Sequence, residues 1–176
     1  MEAKNLASIY GTPLLDWDAF AARLDRGVTQ PPGSGGPNRH TYWLATINAD
    51  GSPHVTGIGA LWLEGRFWFE TGARTRKGRN LERDPRCTLS VATDEFDLVV
   101  EGDARPVRDR SVVATLASRW AAEGWPVSVD ESGMALTAEF SAPSAGRPPW
   151  TVYELLPRTA TGLLTVDPGG ATRWTF

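Results

Sequence analysis

Between residues 53 and 85 the chain runs strand, two-residue turn, strand, glycine break and short basic helix, and the other segments must fit around that unit. Residues 53–63 form the first strand. Glu64-Gly65 then makes a tight hairpin into a second strand over 66–71, with Phe67 and Phe69 on one face and Trp68 and Glu70 on the other. Gly72 breaks the strand. Arg74, Arg76, Lys77 and Arg79 follow within six positions. Thr75 has the chemistry of an N-cap, and the Asp84-Pro85 pair stops the predicted helix after about Arg83.

That helix carries one large apolar side chain, Leu81, so burial of a hydrophobic face is not its main reason to exist. A helix N-terminus offers unpaired N–H groups and a partial positive charge. With Thr75, Arg76 and Lys77 beside it, it can hold a phosphate or similar dianion. The alternative is a solvated charged helix. Lysine is scarce here, two against sixteen arginines, so Lys77 is unusual for this sequence, and a Lys–Arg pair suits a phosphate.

The remaining segments read as follows. Asp16 caps a helix over 17–27 that aligns Trp17, Phe20, Ala21 and Leu24, and residues 28–39, rich in Pro and Gly, are a loop. Strands are predicted over 41–48, 87–91, 97–107, 150–156, 160–166 and 171–176, with a second helix from Asp109 to near Gly124. Residues 126–149 are polar and irregular, a flexible excursion more than core. Gly57 and Gly59 interrupt their strand; close approach of a ligand or backbone is one reason, a bulge or barrel corner the other. Eight β segments with two longer helices and one short one make the chain mainly β, a mostly antiparallel barrel in a single domain over 1–176.

Eighteen basic and twenty-one acidic residues give no bulk attraction for nucleic acid or an anionic membrane. No stretch is long and apolar enough to span a bilayer, no signal peptide is evident, and Cys87 is alone, so a cytoplasmic location is expected. Cys87 reads as core. With His40, His54 and Cys87 as the full complement of His and Cys, a Cys/His zinc site is excluded.

Several pieces, in order, resemble the split-barrel flavin and deazaflavin oxidoreductases, the superfamily named for pyridoxamine 5'-phosphate oxidase. They are Leu44-Ala45-Thr46-Ile47, Asp50-Gly51-Ser52-Pro53-His54-Val55-Thr56, Phe69-Glu70-Thr71, Arg76-Lys77, Asn80-Leu81, Asp84-Pro85-Arg86, and Ala171-Thr172-Arg173-Trp174 near the end. The resemblance is strong over residues 39–108 and moderate in the C-terminal strands. It implies that Thr75, Arg76 and Lys77 hold a cofactor phosphate and that Glu70 and Thr71 contact the cofactor. It also implies that Val55, Thr56, Gly57, Ile58 and Gly59 lie along a tricyclic ring, largely through backbone groups, with Arg173 and Trp174 as further pocket residues.

The Pro-His-Val-Thr frame and the Arg-Lys-x-x-Asn-Leu helix look most like the branch using the deazaflavin coenzyme F420, with FMN as the alternative cofactor. Two positions depart from that branch: Gly57, where many members carry Pro, and Gly78, where Ala is common. The Arg-Leu-His substrate motif of the vitamin B6 oxidases is absent, which argues against that activity. By resemblance the chain is a homodimer with cofactor at the interface, moving a hydride to an electron-poor organic acceptor. No catalytic side chain is required, and His54 is a candidate proton donor. A non-catalytic carrier of cofactor or haem is the remaining alternative. The aromatic side chains Tyr42, Trp43, Trp62 and Trp68 are expected on both faces of the sheet, with a partner covering one face.

Overall fold

In the computed structural model of the protein, residues 1–28 and 41–176 are described. The Pro- and Gly-rich loop, after Val28, lies outside them, as does His40. The elements are β1 (Glu2–Asn5), α1 (Trp17–Asp25), β2 (Thr41–Ile47), β3 (Pro53–Leu63), β4 (Arg66–Gly72), α2 (Arg76–Arg83), β5 (Arg86–Ala92), β6 (Phe96–Pro106), α3 (Arg110–Ala122), β7 (Ser128–Val129), β8 (Leu136–Thr137), β9 (Trp150–Leu164) and β10 (Gly170–Thr175).

All pairings are antiparallel. The strand order β9-β4-β3-β2-β5-β6 returns to β9, which closes a six-stranded barrel, and β10 and β1 extend the sheet beyond β9. Glu64 and Gly65 both have positive φ (55° and 73°), the geometry that a two-residue hairpin between right-twisted strands requires.

Alternation along β4 divides two hydrophobic cores. Phe67 and Phe69 point into the barrel with Leu44, Ile58 and Leu89, while Trp68 points outward into a second core under α3, with Val113, Leu116 and Trp120. α1 packs Phe20 and Leu24 onto one end of the barrel, where Phe20 and Trp174 stand 5.1 Å apart at a steep interplanar angle. Cys87 lies in the barrel core, and burial pushes its thiol up to about 12, so it is an inert core residue.

Four expectations need correction. Residues 150–164 form one strand, not two. Pro157 faces Gly102 and Thr159 faces Glu101, so Arg158 is an extra residue, and this bulge takes up the proline without ending the strand. The segment 126–149 is not outside the core: Val127, Leu136 and Ala145 are buried against α3 and Trp150. Trp68 is covered by α3 of its own chain, so it requires no partner. β1 is an additional strand; its polar Glu-Ala-Lys-Asn carries no alternation, and it forms because β10 offers an edge.

Candidate functional site

The site grows from α2. Thr75 occupies the N-cap in an extended conformation, and its Oγ1 accepts from the Gly78 N–H at 3.0 Å and donates to the Gly72 carbonyl at 2.8 Å. Thr71, fully buried at the end of β4, reaches the same hydroxyl at 2.9 Å. The Thr75 hydroxyl is thus spent on building the helix start. Thr75→Ala is expected to cost about 1 kcal/mol, read as a lower urea midpoint at unchanged slope.

Next to the cap the two cations separate. Arg76 is exposed and makes no ion pair among the described residues; its charge reaches Asp50 and His54. Among the described hydrogen bonds, none is donated by the N–H of Arg76 or of Lys77. Lys77 instead turns inward. It is 2% exposed, and its ammonium donates to the Ser144 carbonyl of the segment between β8 and β9. Burial lowers its pKa, and the neighbouring Glu70 partly restores it. Asn80, one turn on, is buried and ties α2 to the barrel by donating to Thr46 at 3.0 Å and Asn48 at 3.1 Å.

Along β3 the five expected residues alternate. Ile58 is in the barrel core, so only its backbone can meet a ligand, and Thr56 shares its side of the strand. Val55, Gly57 and Gly59 present the outer face. The Gly57 carbonyl accepts from Ser144 Oγ at 2.9 Å, so a segment of the chain itself sits on that part of the strand. At Gly59 the surface opens: an added Cβ would meet nothing within 4 Å. A cavity of about 370 Å³ begins there, walled by Glu70, Trp120, Trp125, Phe140 and Ser141.

Glu70 is 8% exposed; its Oε1 has a long hydrogen bond from Ser141 Oγ at 3.5 Å, and Oε2 has none. Burial pushes its carboxyl up to about 7, against the opposing pull of Lys77. His54 is shifted the other way, lowered by burial and then by Arg76 and Lys77. It therefore carries less positive charge at neutral pH than a free imidazole, which weakens it as a proton donor.

The structure thus brings together Gly57, Gly59, Glu70, Thr71, Thr75, Arg76 and Lys77. It does not bring Arg173 and Trp174 to them. Trp174 is fully buried in the barrel against Phe20 and Trp17, and Arg173 lies on β10 opposite Lys4 and Thr161. Trp120, Trp125, Phe140, Ser141 and Ser144 were absent from the expected set. Trp120, Trp125 and Trp150 flank the 126–149 segment, but nothing in that polar stretch itself pointed to Phe140, Ser141 or Ser144.

Residues 37–160 match the family model for pyridoxamine 5'-phosphate oxidase. No curated protein matches the chain by sequence. Among solved structures, PhzG from Burkholderia lata in complex with tetrahydrophenazine-1-carboxylic acid is similar at 16% identity and TM-score 0.57, over 90% of this chain and 84% of that one. The conserved hypothetical protein Rv2991 from Mycobacterium tuberculosis is similar at 22% identity and TM-score 0.56, over 84% and 83%. A protein related to general stress protein 26 from Clostridium acetobutylicum is similar at 14% identity and TM-score 0.58, over 92% and 97%. At these identities the likeness establishes the fold.

Proposed function

The chain belongs to the pyridoxamine 5'-phosphate oxidase family, and within it we propose a deazaflavin-dependent oxidoreductase that uses coenzyme F420 to reduce an electron-poor organic acceptor. The observation that carries this reading is the start of α2, where the N–H groups of Arg76 and Lys77 and the Arg76 guanidinium have no partner among the described residues, and Ser144 links Lys77 to the Gly57 carbonyl of β3.

The residues present fit the phosphate half of such a cofactor. The amides of Arg76 and Lys77 and the Arg76 guanidinium would hold it, with the helix dipole adding to the attraction. Lys77 acts from behind, through its charge, because its ammonium is engaged with Ser144. The ring half would lie along the outer face of β3 at the mouth of the cavity, where Gly59 lacks a side chain, leaving the cavity itself to the acceptor; at Gly57 a ring can approach the carbonyl only if Ser144 leaves it. When bound, the deazaflavin supplies the two-electron hydride chemistry. The protein's own contribution is to anchor the phosphate at α2, orient the ring along the outer face of β3, and exclude water with the aromatic walls of Trp120 and Trp125.

We further propose a homodimer. Trp43 and Val55, 49% and 56% exposed on the same outer face of β2 and β3, leave an apolar surface beside the site that a second copy would cover.

The test is a titration of the apoprotein with coenzyme F420 and with FMN, followed by tryptophan quenching, with sedimentation on the same samples. Saturable binding with preference for F420, on a dimeric species, is expected. Preference for FMN would overturn the deazaflavin assignment while keeping the phosphate site, and a monomer that binds normally would overturn the dimer.

A further inference from the structure

We propose that Glu70 hands a proton to the oxygen of a flat, conjugated carbonyl acceptor, an enone or quinone, held in the cavity between the end of α3 and the outer face of β3 and β4. The hydride half of that reaction rests on the oxidoreductase reading above; the cavity and its donor do not.

Glu70 Oε2 is a buried carboxyl oxygen with no hydrogen-bond partner among the described residues. Leaving such an atom unpaired costs free energy unless a ligand completes it. Its residue lines a cavity of about 370 Å³, within the usual range for small-molecule sites. Gly59 leaves the neighbouring wall open, and Trp120, Trp125 and Phe140 supply aromatic surface. Trp125 Nε1 donates to the Phe140 carbonyl at 2.7 Å, so two of those walls are fastened together. Aromatic surface with one polar contact point suits a planar, mostly apolar ligand.

Charge then decides which polar group that ligand brings. Lys77 from α2 acts on the carboxyl, and Glu123 at the end of α3, 3.4 Å from Arg119, lines the same cavity. Ser141 and Gly59, also on the cavity wall, are uncharged. Lys77 disfavours a cationic ligand beside Glu70 and favours a developing negative charge. Because burial outweighs Lys77, the carboxyl still holds its proton up to about pH 7 and can act as a donor.

The balance is simple. When bound, a reduced deazaflavin or flavin would supply the hydride, to the carbon conjugated with the carbonyl. The π pair moves to oxygen, a new O–H bond forms there, and the Glu70 O–H bond breaks. The carboxylate left behind faces Lys77 and regains its proton from solvent. His54 is not among the cavity residues and does not serve.

The test uses the apoprotein and 2,4-dinitrophenolate, a flat oxyanion that mimics the enolate and stays ionised between about pH 5 and 9, with binding read by absorbance and tryptophan quenching. Affinity should be level below about pH 7 and fall about tenfold per pH unit above it, as the donor ionises. Glu70→Gln keeps an N–H donor and should bind with no break in that range. Phe140→Ala, at an exposed wall, should bind about tenfold more weakly, which keeps the test informative should Glu70→Gln fail to fold. A wild-type profile without the break, a profile that rises above pH 7, or a break that survives in Glu70→Gln would each overturn the proposal. Wild-type F420 titration separates the two readings: cofactor binding without the dinitrophenolate break sinks only the donor role, and the converse sinks only the cofactor.

Discussion

Gly102→Ala is expected to destabilise the protein by about 3 kcal/mol, measured as a lower urea midpoint at unchanged slope. Gly102 sits on β6 at the bulge, where a Cβ would stand 2.0 Å from the Leu156 carbonyl oxygen and 2.9 Å from its carbon. Both are backbone atoms of β9, so no side-chain rotation relieves the overlap. β6 and β9 must part at the seam that closes the barrel. Gly59→Ala is the matched control. Its Cβ meets nothing within 4 Å, and its φ is not in the left-handed region, so a change within about 0.5 kcal/mol is expected. Equal effects at the two positions would refute the packing argument.

The second large effect is electrostatic. The Glu70 carboxyl titrates at about 7 in the folded protein against an ordinary 4.5. The folded state therefore holds this proton more tightly than the unfolded chain. Stability from this group is fully present below about pH 4.5 and is lost as pH rises through about 7, by roughly 3 kcal/mol in total. The residue is 8% exposed, so screening by solvent reduces this little. The lowered carboxyls Asp50, Asp84, Asp109 and Asp130 act on the acid side of that window, and Tyr42 and Cys87, both raised to about 12, act far above it. His54 has the opposite sign, since its folded form resists protonation. Subtracting the pH profile of Glu70→Gln from that of the wild type isolates the Glu70 contribution. The difference should rise by about 3 kcal/mol in favour of the variant between about pH 4.5 and 9; parallel profiles would show that Glu70 is not shifted.

What could be read in advance follows from range along the chain. The hairpin at Glu64-Gly65, the alternation of β4, the Thr75 cap and the stop at Asp84-Pro85 each depend on residues within four positions of one another, and local sterics and hydrogen bonding decide them. The destination of Lys77 was not legible. Its acceptor, Ser144, is 67 residues away, and only the packing of Leu136 and Ala145 under α3 brings that carbonyl over the barrel. The same segment placed Ser144 on Gly57 and Phe140 over Glu70, which a polar, irregular stretch gave no reason to expect. Trp174 was expected in the pocket from the resemblance alone, and the residues around it do not show that its face of β10 is the inward one. Its burial depends on α1 delivering Phe20 to the same spot. Pro157 read as a strand end because a bulge is a property of two strands, visible only once Gly102 lies opposite.

Gly78 has a local structural cause. A Cβ there would lie 2.4 Å from the Gly72 carbonyl oxygen and 3.1 Å from that of Ala73, the carbonyls around which the first turn of α2 is wound. In this chain the tight approach of the β4 end to α2 requires glycine, and that approach also sets the Thr71–Thr75 contact.

The anion site proposed at the start of α2 is the central claim, and Arg76 is the residue on which to test it, since removing Lys77 would also strip Ser144 and Glu70 of a buried partner. The measurement is the affinity of wild type and Arg76→Ala for the phosphorylated deazaflavin and for its dephosphorylated counterpart. Loss of a charge-assisted phosphate contact of about 1.5–3 kcal/mol should weaken the phosphorylated form about ten- to a hundredfold and leave the dephosphorylated form unchanged. An equal loss for both forms, or no loss for either, would contradict the phosphate site.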